Sequence, residues 1–275
     1  MTQTYPCLID GELVTTDATL EVLNPANEQV VGLVPACGPD ELDRAVAAAR
    51  KAFKTWRKTS FEERQAVVQG IAGAIKANAD ELFRLLTTEQ GKPHAQAQME
   101  IHGAAGLAAA QSTLKLDEVV NQDDDTRLSR TRRVPVGVVG GIVPWNFPVM
   151  MAIQKIVPAL MSGCTIVLKP SPFTPLTTLK IAELIKDVVP AGTVNIITGE
   201  DSLGPLITEH ADIDKITFTG STATGKRIME GASKDLKRIT LELGGNDASI
   251  VLPDADVSKV AEQLFWSSFS NAGQI

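Results

Sequence analysis

The 275-residue chain has 44% hydrophobic and 21% charged residues and a formal net charge of −7, a balance that suits a globular protein with ample material for a core. Its acidic surface offers no electrostatic attraction to nucleic acid or to a membrane, so an anionic ligand needs a local lysine or a helix N-terminus. Three cysteines without paired spacing, Cys7, Cys37 and Cys164, argue against a disulfide framework or a metal site and for a reducing, cytoplasmic setting; neither a signal peptide nor a membrane-spanning run is expected.

Residues 1–116 read as short strands followed by helices. Asp10-Gly11, between CLI and ELV, is a hairpin turn signal. Pro39-Asp40-Glu41 opens a helix with acids in its first turn. Ser60 and Glu63 form a capping box for a second helix, and Asn78 stands where it can cap a third, which Gly91 ends. An Ala-rich fourth helix is expected over about 95–116. Residues 117–135 differ: Asp123-Asp124-Asp125 is followed by Arg127, Arg130, Arg132 and Arg133. The segment reads either as a solvated polar hairpin or loop, or as an edge strand used in subunit assembly.

From 136 to 252, strand and helix alternate. Apolar runs at 136–143 and 164–169 suit strands buried on both faces. Further strands are expected at 193–197, 215–218, 238–242 and 248–252, with helices to about 161 and at 175–189, 202–210 and 221–233. A last helix begins near Asp256, within a connecting segment 253–275. The pattern predicts an α/β fold with a Rossmann-like doubly wound parallel sheet.

In such sheets ligands lie beyond the carboxyl ends of the strands, and four motifs fall there. In PWNFP (144–148) two prolines restrict the backbone around Asn146, whose uncharged N–H donors suit a developing oxyanion; the plain alternative is a helix cap. LKPSP (168–172) puts Lys169 and Ser171 at a strand exit, where a lysine meets either ribose and phosphate oxygens or only water. FTGSTATGK (218–226) brackets a strand-to-helix turn with Gly220 and Gly225. It reads as a pyrophosphate cradle or simply as a tight connection, and is neither GxGxxG nor a Walker A loop. In LELGGND (241–247) Glu242 is a general base if it sits in a partly desolvated crevice, and a surface glutamate otherwise.

Together, in this order and spacing, the four motifs resemble the aldehyde dehydrogenase superfamily, and the resemblance runs over nearly the whole chain. It implies that Asn146 is the oxyanion-hole side chain and Glu242 the base that activates water. It implies cofactor contacts at Ile142, Pro144, Trp145, Lys169, Ser171, Gly199, Gly220, Ser221, Gly225, Leu243 and Gly244. Of these, Lys169 would meet the adenosine ribose, Gly199 the adenine, the 220–225 turn the pyrophosphate, and Leu243 and Gly244 the nicotinamide. The implied cofactor is NAD. NADP stays open, because Pro172 stands where many NAD-preferring relatives carry a glutamate. The implied reaction oxidises a small-molecule aldehyde to an acid through a cysteine thioester, without a metal, in a homodimer or homotetramer. SNAGQI (270–275) resembles the stretch just before the family's nucleophilic cysteine, so this chain is expected to lack the catalytic domain and to be inactive alone. Two alternatives are a non-catalytic dinucleotide-binding or assembly module, and an unrelated Rossmann-type reductase. Against the latter, GxGxxG is absent and Tyr5 is the single tyrosine.

Overall fold

In the computed structural model, which describes residues 2–275, Asp10 and Gly11 both adopt positive φ, 51° and 82°. That is the left-handed pair a two-residue hairpin between right-twisted strands needs, and it joins β1 (Cys7–Ile9) to β2 (Glu12–Val14). Strands β3 (Thr19–Leu23) and β4 (Val30–Pro35) form a separate antiparallel pair.

Four helices follow: α1 (Pro39–Trp56), α2 (Phe61–Ala77), α3 (Ala79–Gln90) and α4 (His94–Gln111). Their ends follow the capping signals, with one exception. Ser60 Oγ accepts from Glu63 N at 3.1 Å, while the Glu63 carboxylate accepts from Ser60 N at 2.6 Å. Gly91 closes α3 at φ 89°. Asn78 precedes α3 but does not cap it: its amide donates back to Ala74 O at 2.8 Å, satisfying a C-terminal carbonyl of α2 instead. Strands β5 (Val119–Asp123) and β6 (Leu128–Thr131) pair as an isolated hairpin, with every residue of β5 exposed.

The remaining strands are β7 (Val138–Ile142), β8 (Thr165–Lys169), β9 (Val194–Ile196), β10 (Lys215–Gly220) and β11 (Arg238–Leu243), in a seven-stranded sheet ordered β11-β10-β7-β8-β9-β1-β2. The last five in chain order run parallel; β1 and β2 extend the sheet antiparallel, so it is mixed rather than wholly parallel. Crossovers through α5 (Pro148–Met161) and α6 (Leu176–Ile185) carry the chain from β7 to β9. It then doubles back, and α7 (Leu203–Glu209) and α8 (Thr222–Ser233) lead to β10 and β11 on the other side of β7. Right-handed crossovers in opposite directions put the two helix pairs on opposite faces. Helices α2, α3 and α4 cover the α5–α6 layer, and α1 packs beside α7.

Three expected elements differ. Helix α4 ends at Gln111, short of 116. Helix α6 ends at Ile185, short of 189. Residues 248–252 form no strand; Ile250 is 84% exposed. Their apolar pattern is strand-like, but a strand needs a partner for its N–H and C=O groups, and β11 is hydrogen-bonded only to β10. Helix α9 (Val257–Phe269), capped by Asp256, has no buried residue.

The start of β7 is held by Asp214. Its carboxylate accepts from Val138 N at 2.7 Å and pairs with Arg50 at 2.8 Å. Gly137, at φ 135°, makes room for it: a Cβ there would lie 1.8 Å from the Asp214 carboxylate. Gly137→Ala therefore strains the backbone and displaces this carboxylate, and should lower unfolding free energy by about 2–4 kcal/mol. An unchanged denaturant midpoint would contradict this account.

Candidate functional site

Parallel pairing places four strand ends at one level. Ile142 lies opposite Lys169 of β8 on one side and Phe218 of β10 on the other, and Phe218 lies opposite Leu241 of β11. The next level pairs Thr219 with Glu242, and the next Gly220 with Leu243. Their loops open along one edge, above the junction of β7 and β10 where the winding reverses, which is where open α/β sheets bind ligands. The residues singled out from the sequence stand on this edge or in the turn that follows it, except Gly225, which lies in the first turns of α8. Gly199 comes from the loop after β9, the next strand in the sheet. A broad cavity lies elsewhere, at the amino ends of the strands around Arg64, Asp214 and Arg238.

Asn146 sits in the turn between β7 and α5, flanked by Pro144 and Pro148, with Trp145 exposed beside it. It does not cap α5. Its side-chain amide donates to Gln274 O at 3.0 Å. Its main-chain carbonyl accepts from Lys92 Nζ at 2.8 Å and from Asn271 Nδ2 at 3.0 Å. The backbone of Asn146 is thus fixed, and its side-chain amide keeps one N–H beyond the bond to Gln274 O.

Lys169 is 3% exposed, and its ammonium reaches only Pro170 O, at 3.5 Å. Burial pushes its pKa down, and Asp201 opposes that. A buried ammonium with donors to spare is suited to hydroxyl or phosphate oxygens. Ser171, by contrast, uses its hydroxyl locally, accepting from Phe173 N at 3.3 Å.

Ser221 caps α8, accepting from Thr224 N at 3.2 Å, so its hydroxyl is engaged in helix initiation. Gly225 faces β11, where a Cβ would lie 2.6 Å from Leu243. Its absence lets α8 pack close, with the helix's free N–H groups at the strand edge. Gly199 is held against Cys37 O, 2.9 Å from where a Cβ would be.

Glu242 is not enclosed. It is solvent-exposed, as are Leu243 and Gly244 after it, and no desolvated crevice surrounds its carboxylate in this chain.

Lys155, absent from the sequence reading, joins the site from α5. It is 7% exposed, and its ammonium donates to Thr219 Oγ1 at 2.9 Å and Thr217 Oγ1 at 3.3 Å. Its stem passes Gly141, whose missing side chain leaves it room. Thr219 pairs in register with Glu242, so Lys155 and Glu242 share a face of the sheet. The signal was available: Lys155 is the one charged residue in PVMMAIQKIVPALM, and a lone charge in an otherwise apolar helix needs a buried partner. Among the described residues no group of three His, Cys, Asp or Glu is placed to hold a metal, and no helix is long and apolar enough to cross a membrane.

Burial lowers the Lys155 pKa to about 8, with Glu242 opposing the shift and Lys215 adding to it. The ammonium should titrate near pH 8 in side-chain NMR, and Glu242→Gln should move the midpoint lower by removing the charge that favours the protonated form. Titration at the ordinary lysine value of 10.5 would contradict the placement.

The sequence profile described as the aldehyde dehydrogenase family matches residues 13–275. A Pseudomonas protein named "Probable aldehyde dehydrogenase" is 46% identical over 273 residues, covering 98% of this chain and 56% of that protein. The NADP(+) succinate-semialdehyde dehydrogenase GabD of Escherichia coli K12 is 41% identical, over 97% of this chain and 57% of its own. Among solved structures, the NAD+ complex of an aldehyde dehydrogenase from Bacillus cereus superposes with a TM-score of 0.96 at 38% identity, covering 99% of this chain and 57% of that one. The chain thus spans a little over half the length of the relatives it matches.

Proposed function

The chain belongs to the aldehyde dehydrogenase family, and from that membership we propose that it carries the dinucleotide site and two of the reacting-centre groups of an enzyme that oxidises a small-molecule aldehyde to a carboxylic acid. The observation that carries this reading is the single line of strand ends that brings Lys169, Asn146, Thr219 with Lys155, and Glu242 to one edge of the sheet.

The residues fit an NAD or NADP molecule. The buried Lys169 ammonium holds a ribose or 2′-phosphate oxygen, and the α8 N-terminus behind Gly220 and Ser221 holds the pyrophosphate. Ile142, Pro144 and Trp145 line one wall; Leu243 and Gly244 line the other. When bound, the dinucleotide supplies the hydride acceptor. Asn146 donates to the aldehyde oxygen as negative charge builds there, a contact stronger in the transition state than in the ground state. Lys155 holds Thr219 and the positive potential beside Glu242, and Glu242 removes a proton from the hydrolytic water. The three cysteines are all buried, and none ends a strand in this row. In this reading the nucleophilic thiol, and the walls that enclose Glu242, come from the family fold outside these residues.

Calorimetric titration with NAD and then NADP tests the site. Lys169→Ala should weaken binding about tenfold or more, the scale of a lost charge-assisted hydrogen bond. Unaltered affinity, or no binding by a chain that circular dichroism shows to be folded, would sink the assignment.

The exposed hairpin supports a second element of the reading, assembly into a homodimer or homotetramer. Both edges of β5–β6 are unpaired, and Val120 and Leu128 are 52% and 56% exposed. Unpaired edges of this kind invite strand addition, and lysines block it. Val120→Lys/Leu128→Lys should reduce the mass measured by light scattering to that of a single chain; an oligomer that persists would place the interface elsewhere.

A further inference from the structure

Lys92 and Glu100 form an ion pair whose side chains are both 0% exposed. Removing two charges from water is expensive, and a well-packed apolar pair of similar volume often does as well for stability. The bonds that surround this pair converge on one place. Lys92 Nζ donates to Asn146 O at 2.8 Å and lies 4.3 Å from the centre of the Phe147 ring. The Glu100 carboxylate accepts from Val149 N at 2.9 Å and Met150 N at 3.1 Å, in the first turn of α5. The pair therefore grips the chain on both sides of Pro148.

A neighbouring carboxylate extends the grip to the cofactor side. Glu89 accepts from Leu176 N at 2.6 Å and Thr177 N at 2.9 Å, at the start of α6. Thr174 Oγ1 in turn donates to Trp145 O at 3.2 Å. The short segment from Glu89 to Lys92 thus sets the loop that carries Asn146 against the loop that leads from Lys169.

We propose that Lys92 and Glu100 are positioning residues for Asn146, fixing its main chain above the sheet edge so that its side-chain amide is aimed at the reacting oxygen. This rests on the oxyanion role proposed for Asn146. A directional network is what the task requires: apolar packing would fill the same volume without fixing the rotation of the 146–147 peptide.

The test uses Lys92→Met/Glu100→Gln in a full-length family polypeptide carrying this sequence. The double replacement preserves shape and removes one charge of each sign. Expected is a kcat lower by about tenfold or more, with KM and dinucleotide affinity within about threefold of the parent. In an Asn146→Ala background the same replacement should lower kcat no further. An equal fall in both backgrounds, or none in the parent, overturns the proposal. If Asn146→Ala alone leaves kcat intact, the oxyanion reading itself has failed, a result distinct from an Asn146-dependent enzyme indifferent to Lys92. Should the double variant not fold, Glu100→Gln alone, which keeps a carbonyl acceptor for Val149 and Met150, decides by the same comparison in the two backgrounds.

Discussion

The site depends on a strand with almost no side chains at its centre. Gly140 and Gly141 of β7 face opposite sides of the sheet. A Cβ on Gly140 would meet Ile207 at 2.8 Å; one on Gly141 would meet Leu168 at 2.8 Å and stand 3.7 Å from the Lys155 stem. Because β7 is thin, helical layers can close on both faces, and it can sit between β8 and β10 where the winding reverses. Parallel register then does the rest. Fixing Ile142 against Lys169 and Phe218 brings the functional ends of four strands to one level without any long-range instruction in the loops.

The charges buried near this edge divide by task. Lys92, Glu100 and Glu89 hold main-chain groups of the loops, satisfying N–H groups in the first turns of α5 and α6 that no helical bond can reach. Lys155 and Lys169 hold side chains or few partners at all. The first set builds a rigid frame, and the second offers donors to something else. Burial weakens the protonated form of Lys92, Lys155 and Lys169 and favours it in Glu89, whose carboxyl is pushed up to about 7; for Lys169 the ammonium is depressed with only Asp201 opposing. Groups held in this way respond strongly to an arriving anion or hydroxyl, because little solvent competes.

Much of this was legible in the sequence where the cause is local. The Asp10-Gly11 turn, the Ser60–Glu63 box and the Gly91 stop each depend on residues within a few positions, and the α/β alternation fixes the crossovers. What escaped depends on partners far along the chain. Asn78 has a cap residue's chemistry but found a nearer acceptor in Ala74. The 248–252 run has a strand's composition but no neighbour to pair with. Lys92 reads as an ordinary loop lysine, and the partner that a lone charge such as Lys155 needs stays unnamed, until Asn146 and Thr219, more than fifty residues away, are brought beside them. Ser171 and Ser221 show the converse: motif positions whose hydroxyls are occupied by their own turns.

The central claim is that one edge of the sheet holds a dinucleotide in a single defined pose. A crystal structure of the chain grown with NAD tests it most directly. The account predicts the adenosine ribose within hydrogen-bond distance of Lys169 Nζ, the pyrophosphate at the N-terminus of α8 beside Ser221, and the nicotinamide lying between Asn146 and Leu243. A dinucleotide bound at the amino ends of the strands, or on any surface that leaves Lys169 untouched, would contradict it.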